Sequence, residues 1–193
     1  ATRGDQAALI AISTETGTEK TYTFQDLHTE VQRMAAALLA LGVQQGDRVL
    51  IYMPMIAEAV FAMLAATRIG AIIAPMVAGM LVAGFARLAP TRIGASHSVV
   101  FGGFASGSLA SRIDDAQPKV IVSADAGSRG GKVVPYKPLL DEAIRLAQHK
   151  PDAVLLADRG LSPITLVAGR DHLWADLRQQ HLLGPALPLS ADA

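Results

Sequence analysis

The sequence predicts an α/β fold in which helices flank a parallel β-sheet. Short apolar runs of the strand type alternate with amphipathic helical segments along most of the chain. These runs are apolar on consecutive residues, which is typical of strands buried on both faces. The hydrophobic content of 51% and charged content of 18% are those of a chain with a packed core. Its 193 residues suffice for one ordinary domain or for part of a larger one.

The chain begins with a predicted β-hairpin followed by a helix. Ala8–Ser13 and Thr21–Phe24 are strand-like segments on either side of a glycine-containing turn. Thr23 and Asp26 have the spacing of a capping box at a helix N-terminus. The apolar face of this helix persists until Gly42, which predicts its end there.

The segments after this helix alternate between strand and helix patterns. We predict strands at Asp47–Pro54, Lys119–Asp125 and Ala153–Asp158, a strand followed by a turn within Ser96–Phe104, helices at Ile56–Ile69, Ser106–Gln117, Lys137–His149 and Asp171–His181, and a loop at Gly127–Lys132. Such alternation is the pattern of βαβ units, in which parallel strands are joined through helices. We therefore treat residues 1–193 as a single, partial α/β domain.

One stretch of the chain repeats an earlier one. TRIGA occurs at 67–71 and again at 91–95, and PMIAEAVFAM from Pro54 resembles PMVAGMLVAG from Pro75. We interpret residues 72–95 as a tandem duplication that inserts an extra apolar helix or a disordered loop.

Two other interpretations of this stretch are weaker. Residues 69–86 carry no charge and are long enough to cross a hydrocarbon core of about 30 Å. Pro75, Gly79 and Gly84 interrupt the segment, so a membrane span is disfavoured. A solenoid is also disfavoured, because stacked repeats need three or more units.

The charge balance and the absence of cysteine exclude several classes of function. Lys plus Arg (17) equal Asp plus Glu (17), so no basic surface for nucleic acid or anionic membranes is expected. With no cysteine, disulfides, thiolate metal sites and cysteine nucleophiles are excluded. The N-terminal residues are too polar for a signal peptide. We expect a cytoplasmic protein.

Two glycine-containing turns are candidates for ligand binding. VVFGGFASGS, from Val99, places two glycines between a strand and a helix, where bare backbone can approach a flat ring or a phosphate. SADAGSRGGKVVPYK, from Ser123, carries Arg129 and Lys132 after a strand end, where parallel sheets bind ligands. Neither matches a dinucleotide fingerprint or a Walker A loop. Taken alone, the first is better explained as a tight structural turn, and the second is explained equally well as a solvated basic turn.

The remaining polar residues show no catalytic pattern. The histidines have neither metal-ligand spacing nor a carboxylate partner for a general base: His28, His97, His149, His172 and His181. Asp114 and Asp115 are expected at the solvated end of a helix, and Trp174 is expected to pack in the core. No catalytic residue and no metal site are predicted.

Most of the chain nevertheless resembles a known family. The stretches TYTFQDLHTEVQRMAAALLALGVQQGDRVLIYMPMIAEAVFAMLAATRIGA and HSVVFGGFASGSLASRIDDAQPKVIVSADAGSRGGKVVPYKPLLDEA resemble the N-terminal region of the AMP-forming acetyl- and propionyl-CoA synthetases. VFGGFASGSLASRIDD and SADAGSRGGKVVPYK are most similar to the propionate-CoA ligase branch. In that family RIGA runs directly into HSVVFGGF, which agrees with a duplication here. The resemblance implies the first subdomain of the adenylate-forming N-terminal domain.

The resemblance also implies a ligand and its contacts. Such enzymes use ATP, with magnesium, to form an acyl-adenylate and then pass the acyl group to the thiol of CoA. In the family the CoA nucleotide lies against the Phe-Gly-Gly turn, and two basic residues meet its 3'-phosphate. These positions correspond to Phe101, Gly102, Gly103, Arg129 and Lys132. The chemistry agrees, because arginine offers a bidentate fork and lysine a point charge to phosphate.

Several motifs of the family have no counterpart in these 193 residues. They are the Ser/Thr/Gly-rich phosphate loop, the acyl pocket, the ribose-binding aspartate and the C-terminal catalytic lysine. We therefore expect the CoA side of a propionate-CoA ligase, without binding of ATP or magnesium and without activity of its own. The alternatives are a non-enzymatic remnant, a weak CoA-binding module and, less favoured, a membrane-associated protein. No nucleic-acid or protein partner is expected.

Overall fold

A computed structural model describes residues 3–78, 106–129 and 131–180, and these confirm the α/β class. The elements in chain order are β1 (Ala7–Ser13), β2 (Thr18–Thr23), α1 (Phe24–Ala40), β3 (Arg48–Pro54), α2 (Ala57–Ile69), β4 (Ile72–Ala78), α3 (Ser106–Ala116), β5 (Val120–Ala124), β6 (Ala126–Arg129), β7 (Lys132–Pro135), α4 (Tyr136–Leu146), β8 (Ala153–Ala157), β9 (Asp171–Leu173) and α5 (Trp174–Gln180).

Five of these strands form one parallel sheet in the order β4-β3-β5-β8-β9. The three central strands are almost entirely buried, which explains their unbroken apolar runs. Two antiparallel hairpins, β1-β2 and β6-β7, stand apart from this sheet. The predicted N-terminal hairpin is therefore confirmed.

Helices cover both faces of the sheet. Alternate residues of β3 point to opposite sides: Val49, Ile51 and Met53 join one apolar cluster, and Leu50 and Tyr52 join the other. The first cluster is completed by α1, α2 and Trp174, and the second by α3 and α4. Trp174 is 6% exposed, so its predicted packing role is confirmed.

The predicted boundaries of the first two helices are confirmed. The Thr23 hydroxyl accepts a hydrogen bond from the Asp26 amide, and the Asp26 carboxylate accepts one from the Thr23 amide. The bonds that the Thr23 amide and hydroxyl donate to the Asp26 carboxylate hold the pKa of Asp26 below its ordinary value. Gly42 and Gly70 have φ angles of 83° and 77°, which stop α1 and α2.

The prediction for the duplicated segment is wrong over its first part. Residues 72–78 form β4, a strand paired with β3 along its whole length, and not a helix or a loop. The similarity of this segment to the α2 sequence suggested a helix. The chain after Gly70 instead lies beside β3, where the Ile72 amide donates to the Asp47 carbonyl and the two strands pair in parallel. Pro75 is tolerated because β4 is an edge strand among the described residues. The rest of the segment, 79–95, lies outside the described residues.

A buried ionic cluster joins the far edge of the sheet to α4. Lys137 is 1% exposed, and its Nζ lies 3.0 Å from the Asp171 carboxylate at the start of β9. Arg170 bridges Asp171 and Asp141, and Asp141 also pairs with Lys137. Burial opposes ionisation of Asp171, but hydrogen bonds from Arg170, the Val167 amide and Lys137 outweigh it and lower its pKa.

A second ion pair fastens α5 to α1. The Arg178 guanidinium donates to both oxygens of Glu30, from Nε at 2.7 Å and from Nη2 at 2.5 Å. Burial opposes ionisation of Glu30, but its bonds to Arg178 and Arg33 lower its pKa overall. None of the described helices is long and apolar enough to cross a bilayer.

Candidate functional site

The β6-β7 hairpin continues directly from the carboxyl end of β5, at the edge where parallel sheets bind ligands. The glycine-rich sequence predicts a loop at Gly127–Lys132, whereas the chain forms two short antiparallel strands. Arg129 and Lys132 are cross-strand partners at the tip of this hairpin. Lys132 is exposed. The structure thus brings together the two basic residues that the sequence singled out.

Glycines allow this hairpin to form and to approach its neighbours. Gly131, in the two-residue turn, has a φ of 77°, which side-chain-bearing residues rarely adopt. A Cβ on Gly127 would lie 2.8 Å from the hydroxyl oxygen of Tyr136, so a side chain there would force Tyr136 to shift. The Tyr136 ring in turn stacks on Tyr52 of the central strand, with centroids 4.9 Å apart. The base of the hairpin is therefore fixed to the sheet.

Asp125 holds the base of the hairpin. It is fully buried between β5 and β6, and its carbonyl accepts a hydrogen bond from the Tyr136 amide as the chain leaves β7. Its Oδ2 accepts hydrogen bonds from the amides of Leu161 and Ser162, at 2.7 and 3.3 Å. Asp125 Oδ1 has no hydrogen-bond partner within the described part of the chain.

An ion pair lies along the outer edge of β6. The Glu15 carboxylate, from the turn between β1 and β2, accepts a hydrogen bond of 2.6 Å from the Ser128 amide. Glu15 also pairs with Arg159, which follows β8. Arg159 donates to the Ala126 carbonyl at 3.3 Å and to the Ser13 hydroxyl at 3.0 Å. The sequence pattern gave no signal for this arrangement, because Glu15 and Ser128 are 113 residues apart.

A cleft of about 620 Å³ opens between the β1-β2 hairpin and the start of α2. Its lining is partly apolar and carries both charges, with Lys20, Glu58 and Arg159 around Tyr22 and Met55. Lys20 lies over the Tyr22 ring at 4.7 Å. No local sequence pattern indicates this cleft, because its lining comes from three separate parts of the chain.

The other sequence candidates fall into two groups. Phe101, Gly102 and Gly103 lie outside the described residues, as do His97 and His181. His149 is structural: its amide donates to Asp114 and a ring nitrogen lies 2.8 Å from the Pro118 carbonyl. Asp114 is therefore a structural acceptor and not the solvated helix end that the sequence suggests, whereas Asp115 is exposed as expected.

Two further histidines are described. His28 lies on the exposed surface of α1, 3.4 Å from Gln32, and His172 is half-buried on β9. Across 3–78, 106–129 and 131–180, no three His, Asp or Glu side chains form a cluster that could hold a metal ion.

Sequence comparison places these features in context. The profile of the family described as "AMP-binding enzyme" matches residues 1–168. The propionate-CoA ligase of Salmonella typhimurium is 57% identical over 183 residues, covering 95% of this chain and 25% of that protein. Human acyl-CoA synthetase short-chain family member 3, mitochondrial, is 40% identical over 173 residues, covering 89% and 22% respectively.

A solved structure shows the same fold. The acetoacetyl-CoA synthetase of Streptomyces lividans matches with a TM-score of 0.68 and 27% identity, covering 92% of this chain and 23% of that one. The chain thus spans about a quarter of the length of the relatives it matches.

Proposed function

Since this chain belongs to the AMP-binding enzyme family, we propose that it is the CoA-nucleotide-binding part of a propionate-CoA ligase or a closely related short-chain acyl-CoA ligase. The parent reaction converts propionate, ATP and CoA to propionyl-CoA, AMP and pyrophosphate. Propionate is proposed as the substrate because the chain is 57% identical to a propionate-CoA ligase. We also propose the cytoplasm as its compartment, in keeping with the absence of cysteine.

The observation that carries the proposal is the pairing of Arg129 with Lys132 at the hairpin tip. Two cations on adjacent strands can approach one phosphate from two sides, since directly opposite residues have Cβ atoms about 4.5 to 5.5 Å apart. By resemblance to the family, the turn formed by Phe101, Gly102 and Gly103 would contact the adenine ring. The ligand would be the 3'-phosphorylated nucleotide of CoA.

CoA should bind the purified chain about tenfold more tightly than dephospho-CoA, because a charged hydrogen bond contributes about 1.5 to 3 kcal/mol. Arg129→Ala should remove most of this difference and leave the affinity for dephospho-CoA unchanged. Isothermal calorimetry with the two ligands measures both quantities.

Arg145→Ala is the matched control, because Arg145 is an exposed arginine on α4 that pairs with Glu142. It should retain the full preference for CoA. Equal affinities of the unaltered chain for CoA and dephospho-CoA would refute the assignment of the hairpin.

The purified chain should catalyse no propionate-dependent exchange between ATP and pyrophosphate. The Ser/Thr/Gly-rich phosphate loop is absent from its sequence, so the electrostatic stabilisation of adenylation is missing. A radiolabelled pyrophosphate exchange assay measures this directly. Exchange above a protein-free control would contradict the proposal that the chain supplies only the CoA side.

A second candidate is a non-enzymatic remnant that binds CoA weakly or not at all. The observation that favours it is the second copy of TRIGA at 91–95, which separates the first copy from the Phe-Gly-Gly turn. The calorimetry above separates the two, because a remnant without a working nucleotide site would show no preference for the 3'-phosphate.

A further inference from the structure

The β6-β7 hairpin has little intrinsic means of holding its orientation. It is a two-stranded sheet of four residues per strand, separate from the five-stranded sheet, and isolated hairpins are marginally stable. Asp125 fixes its base, but the tip lies four residues further along the chain. Contacts along the side of the hairpin must therefore set where the tip points.

Glu15 and Arg159 supply such contacts, because their side chains form hydrogen bonds to the outer backbone edge of β6, as a neighbouring strand would. Ala126 and Ser128 are two residues apart, so their outward backbone groups share one edge of β6. Arg159 donates to the Ala126 carbonyl, and Glu15 accepts from the Ser128 amide. Arg159 and Glu15 also form an ion pair with each other, and their side chains are 12% and 18% exposed, respectively.

The place of this contact matters because Ser128 immediately precedes Arg129. We infer that the Glu15–Arg159 pair positions the hairpin so that Arg129 and Lys132 converge on the 3'-phosphate, and that it thereby sets the preference for a 3'-phosphorylated nucleotide. This inference rests on the proposed function. Glu15 and Arg159 are positioning residues here, since they act through the backbone of β6.

The pair also balances charge close to the phosphate site. Arg159 neutralises Glu15, so a bound phosphate meets no net negative charge from this edge. Replacing Arg159 by a neutral residue frees the Glu15 carboxylate to repel the phosphate, in addition to loosening β6. Replacing Glu15 also loosens β6, but it leaves Arg159 as an uncompensated cation, which attracts phosphate and offsets part of the loss. Arg159→Gln should therefore weaken CoA binding more than Glu15→Gln does.

Calorimetry of the 193-residue chain with CoA and dephospho-CoA tests whether Arg159→Gln loses more CoA affinity than Glu15→Gln. Glu15→Gln should weaken CoA binding about threefold and Arg159→Gln about fivefold, each a part of the roughly tenfold preference for CoA. The affinity for dephospho-CoA should change little. Once Arg129 and Lys132 are both alanine, Glu15→Gln should have no further effect.

Two additional variants make the test independent of folding defects. Arg159→Lys keeps the charge but loses the fork that reaches both Ala126 and Glu15, and it should give an intermediate loss. Glu142→Gln removes a carboxylate from an exposed pair on α4 and should change nothing. Amide exchange at Ser128 should accelerate in Glu15→Gln while amides in β5 remain protected.

The possible results distinguish a failure of the positioning role from a failure of the proposed CoA-binding function. If Arg129→Ala abolishes the preference for CoA but Glu15→Gln and both Arg159 variants retain it, the positioning role is wrong and the proposed function stands. If the unaltered chain shows no preference, the proposed function itself fails. Equal losses for CoA and dephospho-CoA in Glu15→Gln would also overturn the inference, because a general loss of structure does not discriminate between them.

Discussion

Asp171→Asn is expected to lower the free energy of unfolding by about 3 kcal/mol, the lower end of the cost of breaking a buried ion pair. The amide is the same size as the carboxylate but cannot balance Lys137, whose side chain is 2% exposed. Lys137 then keeps only Asp141, whose side chain is 35% exposed. Urea unfolding followed by circular dichroism measures the change.

The pH dependence provides a second measurement of the same cluster. The folded-state pKa of Asp171 lies below its ordinary value of 3.8, so its contribution to stability is present above that value. The contribution is lost as the pH falls through the folded-state pKa, so the difference in free energy of unfolding between the unaltered chain and Asp171→Asn should narrow in acid.

Glu142→Gln, which removes a carboxylate from an exposed ion pair, is the control and should unfold like the unaltered chain. A variant Asp171→Asn with unchanged stability at neutral pH would show that the cluster is not stabilising.

Deletion of residues 72–95 should leave the fold intact and reduce self-association. It joins Ala71 directly to SHSVVFG, so a new segment rich in β-branched and aromatic residues enters the position of IIAPMVA beside β3. The new segment lacks Pro75 and can donate every backbone amide to the ladder. The deleted stretch is mostly apolar, and surplus apolar surface promotes association. We expect an equal or higher urea midpoint and less aggregation by light scattering.

A shorter deletion of 79–95 is the matched control, because it retains β4. Both deletions should lose the tendency to associate if the remainder of the duplicated stretch causes it. A urea midpoint lower after removal of 72–95 than in the control would show that SHSVVFG does not replace β4 beside β3. Partitioning of only the full chain into liposomes would indicate a membrane role.

The sequence predicted those features that depend on neighbouring residues. The capping box at Thr23 and the helix ends at Gly42 and Gly70 each depend on a few adjacent positions. The central strands were predictable because burial on both faces demands a continuous apolar run. Arg129 and Lys132 were singled out because they lie on a glycine-rich segment after a strand end, and the family resemblance assigned them to one phosphate.

Features built from distant parts of the chain were not predicted. β4 resembles a helical segment in composition, and only its pairing with β3 decides its structure. Lys137 and Asp171 are the kinds of residue usually found on a solvated surface, and nothing local indicates that they are buried together. The contacts of Glu15 with Ser128 and Arg159 likewise cross more than 100 residues. Their effect on the candidate site is therefore visible only in the folded chain.

The most direct test of the CoA-binding hairpin is a titration of the ¹⁵N-labelled chain followed by amide chemical shifts. Adding CoA should shift the amides of Arg129, Gly131 and Lys132, and dephospho-CoA at the same saturation should shift them far less. Shifts confined to the cleft around Lys20 and Tyr22, or equal shifts with both ligands, would contradict the assignment of this hairpin to the 3'-phosphate.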